Sequence, residues 1–173
     1  MNKKHYSVLD AHPDDETLGC GANIAKISSD KNNVVSLITF TNGVSARNHI
    51  TKKDIDVIFT HNPKCLNVDH KIVYNSAIRV FRPQDGLEIE INCFDVPTLT
   101  DFNNLTKLQH NLFIDVSKHY KKKIQALKQY KEEVKNYPHS RSYEGILNEL
   151  KTDDNSVGLK FAEKFITIRK IIS

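Results

Sequence analysis

Tyr6-Ser7-Val8-Leu9-Asp10-Ala11-His12-Pro13-Asp14-Asp15-Glu16-Thr17 is the stretch on which the reading of the chain turns. Tyr6 to Ala11 has the apolar, β-branched character of a short buried strand. His12 to Glu16 is a polar turn. From Thr17 a helix is predicted, with apolar or small residues at Leu18, Ala22, Ala25 and Ile27. Val34 to Thr41 is again rich in β-branched residues and predicts a buried strand, closed by the turn pair Asn42-Gly43. Strand, turn, helix, strand is an α/β unit. It predicts a mostly parallel sheet with helices on both faces and a ligand site at the carboxyl edge of the strands.

Working outward, Ile55 to Thr60 reads as a third parallel strand. The span from Asn42 to Asp54 that precedes it is near the ~12-residue floor for a parallel crossover and lacks an apolar helical stripe. Val68 to Val80 has helical periodicity and is stopped by Arg82-Pro83. Leu87 to Phe94 alternates apolar and polar, which predicts a half-exposed strand. Asp115 to Lys135 reads as one long helix, followed by helical segments at Tyr143 to Leu150 and Gly158 to Ile168. Gly19-Cys20-Gly21 is no dinucleotide loop, because Ile24 stands where a third glycine is needed. Those glycines are expected to let the helix pack closely.

A chain of 173 residues suits one domain, read here as 1–173. Hydrophobic residues at 39% and charged residues at 27% describe a globular protein rather than a disordered one. There is no apolar run near the ~20 residues of a membrane span, and no apolar signal core follows Lys3 and Lys4. A cytoplasmic location is expected. The net charge of +4 is too weak to imply nucleic acid, and Lys118 to Lys123 reads as a solvated helix face. Cys20, Cys65 and Cys93 form no CxxC pair, which argues against a disulfide framework or a thiolate zinc site.

The chemistry concentrates at His12-Pro13-Asp14-Asp15-Glu16, where one imidazole and three carboxylates crowd into five residues. Like charges so close repel unless a cation neutralises them, and histidine with carboxylate suits zinc. The alternative is a helix N-terminus that favours acids for capping. A second signal follows the third strand: Thr60-His61-Asn62-Pro63, then Asn67-Val68-Asp69-His70. It opens on the same sheet edge and offers His70 as a further ligand; the alternative is a surface histidine. Pro138-His139-Ser140-Arg141-Ser142 offers a histidine and an arginine to a substrate, or simply an N-cap at Ser142.

Taken in order, these motifs, with Leu18-Gly19-Cys20-Gly21 and Thr39-Phe40-Thr41-Asn42-Gly43, resemble the PIG-L (LmbE-like) zinc-dependent de-N-acetylases. The resemblance implies a Rossmann-like sheet with one zinc, or another divalent metal, held by His12, Asp15 and His70. It implies Asp14 as general base; Asp69, adjacent to His70, is placed to orient a catalytic or metal-bound imidazole. Arg47, Asn67, His139 and Arg141 are the positions it offers for substrate contact; Asn67 stands where many relatives have an oxyanion-steadying histidine. The implied reaction is hydrolysis of the acetamide of an N-acetylglucosamine-type sugar, free, nucleotide-linked or lipid-linked, with homo-oligomerisation left open. Relatives have a further strand and helices where this chain has only residues 44–54, so a shallower pocket is expected. An amidase for non-sugar amides, and a non-catalytic metal or sugar binder, are the alternative readings.

Overall fold

The computed structural model describes residues 3–40, 54–83, 88–99, 109–155 and 157–172. Strand β1 (His5–Asp10) leads into helix α1 (Asp15–Ile27), and β2 (Val34–Thr39) returns parallel to β1. Strand β3 (Val57–His61), helix α2 (Val68–Val80) and strand β4 (Glu90–Phe94) follow. β3 lies parallel between β1 and β4. Strand β5 (Leu112–Asp115), helices α3 (Tyr120–Leu127) and α4 (Tyr143–Asn155), and strand β6 (Ala162–Arg169) complete the chain. The order is β2-β1-β3-β4-β6-β5, with β6 antiparallel to β4 and β5. This is a mostly parallel, mixed α/β sheet with helices on both faces, as the opening α/β unit predicts.

Alternate strand residues divide between two cores. Val8, Val57, Phe59 and Phe165 pack with Leu18 of α1, Leu127 of α3 and Ile146 of α4. Leu9, Ile58 and Ile91 pack on the other face against Val73 and Ala77 of α2. The adjacent central strands β1 and β3 both deliver their carboxyl ends to one edge of the sheet.

Helix α1 is kinked at Cys20, whose φ of −143° and ψ of 22° are not helical. The second half is restarted by Glu163 of β6, which accepts the backbone N–H groups of Ala22 (3.1 Å) and Asn23 (2.7 Å). Lys123 of α3 neutralises that carboxylate at 2.8 Å. Gly19 lies against the Phe94 ring, where a Cβ would stand 2.2 Å from Cδ2. Close packing, not phosphate binding, is thus what Gly19 serves.

Several expectations are corrected. The predicted helix over Asp115 to Lys135 is instead the end of β5, the short α3 and a run of turns. The Val116 N–H donates to Phe161 O and carries the strand pairing past Asp115. The predicted helix over Gly158 to Ile168 is largely β6. Lys123 is no solvated residue, being buried with Glu163. Glu88 and Glu90 keep the predicted alternation with buried Ile89 and Ile91, but Asn92 to Phe94 is buried rather than half-exposed, Asn92 being absorbed within the sheet by Thr167 and Glu90. β2, predicted buried, lies at the sheet edge among the described residues, with Leu37 about half exposed. The reading of residues 44–54 as a short open connection falls, apart from Asp54, outside the described residues, as does Arg47. Among the described residues no helix is long and apolar enough to cross a membrane, and the three cysteines are free and buried.

Candidate metal centre

Two loops at the carboxyl edge build the site. After β1, Pro13 sits in a turn closed in both directions: Asp15 N–H donates to His12 O, and Asp15 Oδ2 accepts the His12 N–H at 3.0 Å. Proline pre-sets the backbone for such a turn. After β3, Asn62 makes an Asx-type turn, its Oδ1 accepting the Lys64 N–H and its Nδ2 donating to Asp95. Asn67 then caps α2 by accepting the Asp69 N–H at 2.8 Å. That cap puts Asp69 and His70 in the first helical turn.

The turns bring His12, Asp15 and His70 together, each with one ligand atom within 4.8 Å of the others'. Asp15 Oδ2 is the hub, 3.1 Å from His12 Nδ1, 3.1 Å from His70 Nε2 and 3.5 Å from His61 Nε2. Asp69 Oδ2 meets His12 Nε2 at 3.1 Å, on the solvent side. Asp15 and His70 are fully enclosed, whereas the His12 side chain is one-third exposed, so the group opens to solvent past His12. His61, which sequence reading left without a role, stacks on His70 with ring centroids 3.7 Å apart and accepts the Ala11 N–H.

The charges are strongly perturbed. Burial would raise the Asp15 carboxyl, but hydrogen bonding and positive charge from His70 hold it below the usual range. Burial opposes the charge on His70, yet Asp15 raises its pKa to about 9. His61 is pushed down to about 3, first by burial and then by His70. Burial raises Asp14 to about 7, with Asp15 adding to it, and raises Asp10 to about 7. His70 Nε2 is buried 3.1 Å from the Asp15 carboxylate. A buried nitrogen, a carboxylate oxygen and a second imidazole form a donor set of the kind that holds zinc-type cations.

Asp14 occupies the N-cap position of α1 but makes no side-chain cap bond, so the capping alternative does not describe it. Its φ of 135° is a strained backbone for a non-glycine residue, of the kind that clusters at working sites. Arg141 reaches this carboxylate, Nη1 lying 3.8 Å from Asp14 Oδ2 and 3.0 Å from Glu133. The Ser142 cap is present as well, its hydroxyl accepting the Gly145 N–H. His139 turns into its own loop and accepts the Arg141 N–H through Nδ1.

No family model matches the chain, and no curated protein matches it in sequence. Solved structures share its fold. A conserved protein, TT1542 from Thermus thermophilus, is 12% identical with a TM-score of 0.67, over 100% of this chain and 97% of that one. GalB, the 4-carboxy-2-hydroxymuconate hydratase of Pseudomonas putida, is 12% identical with a TM-score of 0.64, over 98% of each chain. An N,N'-diacetylchitobiose deacetylase from Pyrococcus horikoshii is 13% identical with a TM-score of 0.63, over 95% of this chain and 84% of that one. At these identities the likeness is one of fold, and it includes the fold of a deacetylase.

Proposed function

We propose that this chain, acting as one domain over residues 1–173, is a metal-dependent amidase that removes the acetyl group from an N-acetylated amino sugar. The supporting observation is the convergence of His12, Asp15 and His70 beside the uncapped carboxylate of Asp14. The donor types favour zinc, held by those three side chains. When bound, such a cation polarises an amide carbonyl and acidifies a water molecule.

The chain's own residues supply the rest. Asp14 takes a proton from the attacking water and returns it to the departing amine, so amide and water become acetate and amine. Arg141 beside Asp14 fixes that carboxylate and offers its charge to the substrate acyl group. Asp69 holds the His12 ring from the solvent side, the arrangement expected of a group that orients a ligand. Arg47, Asn67 and His139 are assigned to the sugar. The likeness to a chitobiose deacetylase supports the amide reading, while GalB shows that the same fold carries hydratase chemistry.

The test is acetate release, with added zinc and after chelation, on N-acetylglucosamine, its oligomers, its nucleotide conjugates and non-sugar acetamides. Metal-dependent acetate release confined to the sugars is expected. Release only from non-sugar acetamides would shift the substrate class, and metal binding without any turnover would leave a binding protein.

A further inference from the structure

His70 is held from its far edge by sulfur. Its Nε2 faces Asp15, and its Nδ1 lies 3.1 Å from Cys65 Sγ. Both residues are buried, Cys65 at 1% exposure and His70 at 0%. A histidine that binds a cation through one ring nitrogen carries hydrogen on the other. That N–H is normally given to a carboxylate, a carbonyl or water, which fixes tautomer and ring direction. Here the group beside Nδ1 is a cysteine sulfur.

We infer that Cys65 is the positioning residue of the metal centre: its sulfur accepts the His70 Nδ1–H and thereby keeps Nε2 directed at the cation. This rests on the metal reading above. The placement of Cys65 is built in. Its N–H donates to Asn62 O, and the Leu66 N–H donates to Leu99 O. Asn62 in turn is tied to Asp95 beyond the end of β4. His61 covers one ring face of His70, so rotation about the ring normal is what remains for an edge contact to prevent. Cys65 supplies that contact. Sulfur is a weak acceptor, so the contact sets direction more than it strengthens the ligand.

The experiment is a chelator-competition titration with zinc on the full chain and on Cys65→Ser, Cys65→Val and His70→Ala. Serine keeps an acceptor, while valine keeps bulk without one. Folding is checked by circular dichroism, and the His70 tautomer is read by nitrogen NMR of the zinc form. The expected result is one zinc per wild-type chain, lost in His70→Ala. Cys65→Val should weaken affinity by about 10-fold or more, the usual cost of losing such a partner, with Cys65→Ser closer to wild type. If Cys65→Val binds zinc as tightly as wild type, the inference falls and the metal centre stands. If Cys65→Val does not fold, loss of affinity in Cys65→Ser equal to that in His70→Ala would overturn it. A thiolate-to-metal charge-transfer band in the cobalt form would make Cys65 a ligand and also overturn it. No zinc uptake by the wild type would overturn the metal centre itself.

Discussion

Gly19 and Gly21 stand two residues apart in α1, and alanine at each should move stability in opposite directions. A Cβ on Gly19 would sit 2.2 Å from Phe94 Cδ2 and 2.8 Å from Cε2 and Cγ. The nearest contact is 1.2 Å short of the 3.4 Å at which ordinary packing begins (3.4 − 2.2). Phe94 is fully buried and its ring packs on His61 at a centroid distance of 4.8 Å, so the ring has nowhere to retreat. Overpacking of this kind costs ~1–3 kcal/mol, and the depth of the overlap places it near ~3. Replacing glycine in a helix returns up to about 1 kcal/mol. The net loss is about 2 kcal/mol, a fall in Tm of roughly 4–8 °C for a chain of this size. A Cβ on Gly21 meets only the Lys123 stem and the Thr17 methyl at 3.4 Å. There the helical gain is kept, so Gly21→Ala should be neutral or raise Tm by up to about 4 °C. Urea unfolding and calorimetry on both variants check this. A Gly19→Ala variant as stable as wild type would refute the close-packing account of that glycine.

Asp14→Asn should retain the metal and lose turnover by about 10²-fold, whereas Asp15→Asn should lose metal; zinc content measured beside acetate release separates them. Arg141→Ala should raise KM or lower kcat, since its Nη1 lies beside the Asp14 carboxylate, with Glu133 and Pro97 O as its other contacts; a change in Tm alone would return the segment to helix capping. Burial would raise the Asp95 carboxyl, but His110 and Asn62 hold it below the usual range. A depressed pKa gives stability that is present above ~4 and lost as pH falls through the folded value, so the gap between wild type and Asp95→Asn should close on acidification. Lys123→Met leaves Glu163 buried without its cation and should cost about 3–5 kcal/mol in urea unfolding, partly recovered by adding Glu163→Gln.

The parallel half of the fold was legible because each of its pieces carries one local signal. Val68 to Val80 has a clean helical period, a capping asparagine before it and Pro83 after it. β1 ends in the polar turn that leads into α1. The antiparallel half was not legible, and Glu163 shows why. With Phe161, Ala162, Phe165 and Ile166, it produces an apolar spacing close to helical. Its own burial, demanded by the kink in α1 across the sheet, is invisible in sequence. β5 is four residues long and is fixed by pairing with β6 rather than by its own composition. At the site, His12, Asp14, Asp15, Asp69 and His70 could be picked out because they stand at element boundaries. His61 and Cys65 could not, since their roles are to touch the His70 ring, and only the folded turn after β3 brings them to it.

The charge balance of the strand edge favours a cation there independently of any family likeness. Asp10, Asp14, Asp15 and Glu16 are all buried within seven consecutive positions. The N-terminus of α1 offers roughly half a positive charge. Glu16 is satisfied locally, accepting from the Asp14 N–H, the Thr17 hydroxyl and the Tyr130 hydroxyl. Asp15 is matched by His70 and Asp14 by Arg141, the latter only at 3.8 Å and shared with Glu133. Asp10 is fully buried with the Thr39 side chain as its hydrogen-bond partner, and burial raises its carboxyl to about 7. Charging a carboxylate in such a buried, acid-crowded position is costly unless positive charge stands nearby. A divalent ion held by His12, Asp15 and His70 would add two positive charges to this cluster. It would thereby favour Asp10 and Asp14 as anions through space, without needing to touch either. On that account the acidic crowding after β1 would serve as counter-charge to the proposed metal, and zinc should raise Tm more in wild type than in Asp10→Asn. Equal stabilisation of the two by zinc would show that Asp10 does not sense the site.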